Sequence, residues 1–162
     1  MRALWLFPLN LCKPVFGKRL YFISKSPKGR EFEWWVRKDN WFTRLFMTYF
    51  AAGNAVLADE ATAPPEPSAR LDVHEGTHID DQHVFGGMLF LFLYFVIASP
   101  WGWLRGAGSY EGNWLEARAF CAEHGVEKVG FWAWFKKPKA WTPEYIRGYA
   151  RLRSEFWTPD RP

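Results

Sequence analysis

Cysteine is nearly absent from this 162-residue chain. Cys12 and Cys121 are the only two, too few for a disulfide framework, so a hydrophobic core must hold the fold. The two are expected as free thiols in a reducing compartment. Long runs of one charge are also missing. The net charge is +4, but no stripe of Lys or Arg concentrates it, which argues against nucleic-acid binding. No apolar run reaches the roughly 20 residues of a bilayer-spanning helix. The longest, Met88 to Ala98, has eleven and is expected as a buried helix backing its neighbour, not as a membrane segment. There is no internal repeat. The apolar start, Ala3 to Phe7, is cut short by Pro8 and has no small-x-small cleavage site after it. Residues 1–16 are therefore expected to form an arm that docks on the domain or on a neighbour.

Histidine is scarce as well, with four in the chain, yet His74, His78 and His83 fall within ten residues. His74-Glu75-Gly76-Thr77-His78 reads H-E-x-x-H. On a helix, positions i and i+4 lie on one face, so two imidazoles there could share one zinc ion. Glu75 sits beside that face, where a general base acting on an activated water belongs. Catalytic zinc usually takes three protein ligands, and the candidates for the third are His83, Glu111, Glu116, Glu123 and His124. His83 lies five residues past His78 and would point about 140° away on a continuous helix. Glu116 is better placed, one turn into a helix that Asn113 can cap. Glu111, in a glycine-flanked loop, is the runner-up. Asp80 and Asp81 are expected at a solvated helix end, with the orientation of a ligand histidine by either as the alternative.

What is abundant is aromatic: 20% of residues, with 11 Trp and 15 Phe. Rings at that density either fill a small core or leave a surface that meets a partner. Coarse reading of the chain gives strands through residues 17–60. Arg19 to Ile23 and Glu31 to Val36 (the latter a strand or short helix) are joined by the turn Ser26-Pro27-Lys28-Gly29. Leu45 to Ala52 and Ala55 to Ala58 flank Gly53-Asn54 as a hairpin or bulged strand. The proline-bearing loop Thr62 to Pro67 leads to the metal helix, with Ser68 as N-cap and an end near Gln82. Residues 68–124 form the metal-binding helical core. Residues 125–162 are an aromatic and basic extension whose last helix opens at Pro143.

The metal helix, the hydrophobic helix and Tyr110-Glu111-Gly112-Asn113-Trp114-Leu115-Glu116-Ala117-Arg118-Ala119 together resemble small gluzincin-type zinc metallopeptidases, over roughly residues 43 to 124. Ala51 to Val56 is similar to the strand that borders the cleft in that group. The resemblance implies one small zincin-like domain of α+β class, with a short antiparallel sheet packed on two site-bearing helices. It implies Zn2+ held by His74, His78 and Glu116, with Glu75 as general base. Tyr110 is a candidate to stabilise the oxyanion, and a peptide or protein is the substrate. One position departs from the family pattern: Gly76 stands where related helices carry a bulky apolar residue. Compact relatives occur in bacteria and their tailed phages, so the expected location is the bacterial cytoplasm or a virion. The competing expectation is a non-catalytic zinc-binding structural protein of a larger assembly, engaged through its aromatic surfaces.

Overall fold

The computed structural model describes residues 19–37, 49–61, 63 and 66–156. The apolar arm, Cys12, residues 45–48 of the expected hairpin, part of the proline loop and the last six residues lie outside them. The architecture is α+β, and the chain divides into two compact units, Met1–Phe92 and Leu93–Pro162.

In the first unit, β1 (Arg19–Lys25), β2 (Glu31–Arg37), β3 (Tyr49–Ala52) and β4 (Ala55–Asp59) form one sheet in the order β1-β2-β4-β3. The expected antiparallel pairing holds for β1 with β2 and for β3 with β4, but β2 and β4 run parallel, so the sheet is mixed. Glu31–Arg37 is a strand because Phe32, Trp34 and Val36 alternate inward. In the sequence Trp35 hides that period of two. Its indole donates to Glu33 Oε2 at 2.7 Å, and it packs as a half-buried ring. The two-residue loop Gly53–Asn54 closes the β3–β4 hairpin. β4 is buried along its whole length, as a strand with neighbours on both sides and covered faces should be. One core cluster joins Phe32, Trp34, Ala51 and Val56 to Ile79, and a second joins Phe50, Ala52 and Leu57 to Leu91.

Helix α1 (Ala69–Phe85) begins where its cap predicts, the Ser68 side chain accepting from Leu71 N. Nine consecutive residues, His74 to Gln82, are buried, so the middle of this helix is enclosed on every side, while Ala69, Arg70 and Val84 at its ends are exposed. Three residues at four-residue spacing join it to the first hairpin. Asp72 Oδ1 accepts from the Ser24 hydroxyl at 2.7 Å and from the Trp34 indole at 3.1 Å. Asp80, expected in solvent, is fully buried. Its carboxylate accepts from the Ser26 hydroxyl (2.9 Å) and Lys28 N (3.1 Å) and pairs with Arg30 Nε (3.1 Å). Asp81 is buried too. Between Asp72 and Asp80 lies Gly76, where an added Cβ would stand 2.7 Å from the Ser26 Cα. The glycine that departs from the family pattern is therefore a point of close approach between helix and turn. At the far end Gln82 holds the second hairpin, accepting from Gly53 N at 2.8 Å and donating to the Ala51 carbonyl at 2.9 Å.

Gly76→Ala sets two effects against each other. Helix propensity alone favours alanine by about 1 kcal/mol, whereas overpacking against backbone costs about 1–3 kcal/mol. Because the clashing atom is a Cα with no rotamer to change, the clash should win. The expected result is a lower midpoint in denaturant titration. A midpoint equal to or above the wild type would mean that the hairpin does not sit this close to α1.

After Gly86, helix runs from Gly87 to Leu104: α2 (Gly87–Phe92), a π-helical segment (Leu93–Ala98) and α3 (Ser99–Leu104). Met88 to Ala98 was expected to be buried, yet within it only Phe90, Tyr94 and Ala98 are, and of Gly87–Leu104 as a whole 28% is. Met88, Leu89, Phe92, Phe95 and Val96 are exposed. By length and composition the 18 residues suffice to cross a membrane. The second unit is completed by α4 (Trp114–Glu123), α5 (Phe131–Lys136), a 3-10 turn (Pro138–Trp141) and α6 (Pro143–Phe156). Gly102 lies so close to Gly112 that a Cβ on either would come within 3 Å of the other's backbone. The Trp134 indole donates to the Gly112 carbonyl at 2.7 Å, and that of Trp114 to Val129 O at 3.0 Å.

Candidate metal centre

His74 and His78 leave α1 one turn apart, as the spacing requires, with ring centroids 5.1 Å apart and planes at 80°. Each is 5% exposed. Phe90 stands edge-on to His78 at 5.9 Å, an apolar wall beside one imidazole. Glu75, the residue between them in sequence, is 6% exposed.

Glu116 is set by its own helix start. Asn113 is the N-cap of α4, its Oδ1 accepting from Leu115 N at 2.9 Å. Its amide nitrogen reaches the other way, donating to Ser99 Oγ at 2.8 Å and to the Tyr94 carbonyl at 3.3 Å. Both acceptors lie in or just after the π-helical segment. That segment also presents the Tyr94 side chain, whose hydroxyl donates to Glu116 Oε1 at 2.6 Å. A single turn of π-helix changes which side chains face inward relative to an α-helix, and such turns are frequent at functional sites. The arrangement holds a carboxylate, itself 3% exposed, at a fixed rotamer.

His74, His78 and Glu116 form a buried group that could hold a metal ion. Each offers one ligand atom, and these atoms lie within 4.8 Å of one another. The donor set fits a divalent ion: two neutral imidazoles and one carboxylate are a common set for a site with an open position. The bond from Tyr94 to Oε1 leaves acceptor capacity on the carboxylate for a metal. Comparison with protein-family models, curated proteins and solved structures gives no match. The chemistry of the group must therefore be argued from its own residues.

Tyr110 is 47% exposed, its ring edge-on to Phe120 at 6.2 Å. Glu111 is exposed in the turn before α4. Glu123 and His124 lie beside one another at 3.9 Å. His83 is half-buried, and burial, with the nearby Arg30 charge, holds its imidazole below the usual histidine range against the opposing pull of Asp80.

Two tyrosines near the group escaped sequence reasoning. Tyr94 was legible in principle, as the only side chain with a polar group in Met88 to Ala98. A buried tyrosine hydroxyl needs a partner. Tyr49, on edge strand β3, packs edge-on against Trp34 at 5.6 Å. Burial, and then the charge of Glu75, pushes its hydroxyl above the ordinary tyrosine range. Tyr49 therefore stays neutral at physiological pH and adds no second negative charge near Glu75. No local signal tied Tyr49 to Glu75, which is 26 positions away.

Proposed function

We propose that the protein is a zinc-dependent peptidase in which Glu75 is the general base. The observation that carries this reading is the pairing of a buried two-histidine, one-glutamate donor set with a carboxylate on the same helix that the donor set does not use. A site serving only as a staple needs no such carboxylate. Zinc held by His74, His78 and Glu116 would supply Lewis acidity, polarising a peptide carbonyl and bringing the pKa of water toward about 7.

The protein's own residues supply the rest. Glu75 accepts the proton of the attacking water and returns it to the leaving amine. Tyr94 fixes Glu116, as residues that orient a metal ligand do elsewhere. Tyr49 offers Glu75 a neutral neighbour. β3 lies at the edge of the sheet, and its outer backbone could pair with an extended substrate strand.

The test is hydrolysis of a mixed peptide library by the purified protein. Activity is expected, lost on chelation and restored by added zinc. Hydrolysis that survives thorough chelation would refute the zinc mechanism.

A further inference from the structure

The second unit carries an exposed surface that the peptidase reading does not use. Within the helical run, Tyr94, Ala98 and Gly102 recur every fourth residue and are buried, while Phe95, Val96, Trp103 and Leu104 face outward. Trp103 and Leu104 are 67% and 66% exposed, and Trp132 on α5 is 71% exposed. Scattered apolar side chains on a surface need no explanation, but adjoining large ones do.

Specific contacts bring the end of α3 and the end of α5 together. Trp101 stacks on Phe135 with centroids 4.2 Å apart and planes at 4°, and Trp132 stands edge-on to the same Phe135. Arg105 donates to the Lys136 carbonyl at 3.2 Å, and its guanidinium lies 5.8 Å from the Trp101 ring centroid. The Lys139 ammonium would lie 3.3 Å from a Cβ placed on Gly106. Arg105, Lys136, Lys137 and Lys139 are all exposed, and among the described residues none of the four is in an ion pair. Four exposed cations, none in an ion pair among the described residues, thus sit on the same two element ends as Trp103, Leu104 and Trp132.

We propose that this patch docks the protein on a bilayer surface rich in anionic phospholipid. Trp103, Leu104 and Trp132 enter the boundary between headgroups and acyl chains, while the four cations meet lipid phosphates. The chemistry favours lipid over an acidic protein because the most exposed members are tryptophan and leucine. Tryptophan is the side chain enriched where one end is apolar and the other wet. The apolar face also continues along the helix through Val96 and Phe95, which a lipid surface can cover without matching pockets. The helix lies on the membrane and does not cross it, because its other face is taken. There Asn113 bonds the Tyr94 carbonyl and Ser99, and Gly102 meets Gly112. An amphipathic apolar surface with a basic border binds in this manner, and its strength depends on anionic lipid.

The experiment is sedimentation of the full chain with phosphatidylcholine vesicles, with and without phosphatidylglycerol, at low salt. Co-sedimentation with the anionic vesicles is expected, and much less with phosphatidylcholine alone. Reversing two charges (K136E/K137E) should weaken binding about tenfold or more, and W103S/W132S should weaken it comparably. All four side chains are solvent-exposed, so unchanged thermal melting should show that both variants are folded. Wild-type protein that stays in the supernatant with anionic vesicles would overturn the proposal. So would undiminished binding by W103S/W132S, which would make the patch a general polyanion site such as an acidic protein would use.

Discussion

Glu75→Gln is expected to leave the protein folded and metal-loaded and to reduce peptide hydrolysis by about 10²–10⁴-fold. That loss corresponds to roughly 3–5 kcal/mol of transition-state stabilisation. The amide matches the carboxylate in size and still forms hydrogen bonds, but it cannot take a proton at neutral pH. Glu75 is 6% exposed, so the choice of glutamine matters: alanine would leave a cavity and confuse a folding defect with a chemical one. Metal content measured beside the rate separates the two roles, since a base that is not a ligand can be lost without losing the ion. Hydrolysis by the variant at the wild-type rate would remove Glu75 from the mechanism. Loss of metal together with activity would instead assign it a place in the coordination shell.

Much of the site was legible because its determinants are local. The i, i+4 spacing of His74 and His78 needs only that the segment be helical, and Ser68 and Asn113 announce their helices through cap chemistry contained within three residues. Placing Glu116 in the first turn after Asn113 followed from the same logic. What the sequence could not reveal depends on residues far apart in the chain. The partners of Asp80 come from a turn more than 50 positions earlier, so its charge suggested solvent where the fold supplies a buried cradle. Gly76 stands out in the sequence only as a departure from the family pattern, and its reason, the Ser26 backbone against it, lies 50 positions away. The parallel pairing of β2 with β4 leaves no mark on either strand alone.

The apolar run from Met88 is the instructive misreading. Its composition is that of a core helix, and burial was the natural expectation. Hydrophobicity reports what a segment can bury against, whereas burial depends on what the rest of the chain brings to it. Here one face receives Asn113 and Gly112, and the outer face of the second unit receives nothing among the described residues. The same surplus of tryptophan that suggested either a packed core or a partner surface turns out to serve both. Trp34 and Trp134 are fully buried, while Trp103 and Trp132 are among the most exposed side chains.

The central claim is that His74, His78 and Glu116 together bind one zinc ion. The most direct measurement is elemental analysis of protein purified without a metal-affinity tag, made on the wild type and on His78→Ala, Glu116→Ala and Glu111→Ala. Removing one of three ligands from a site of this kind should lower affinity far enough to empty it on dialysis. Circular dichroism run alongside distinguishes an empty site from an unfolded chain, because metal binding and folding can be coupled. The account predicts one zinc per chain in the wild type and in Glu111→Ala, and essentially none in folded His78→Ala and Glu116→Ala. Zinc retained at the wild-type level by His78→Ala, or stripped by Glu111→Ala but not by Glu116→Ala, would contradict it.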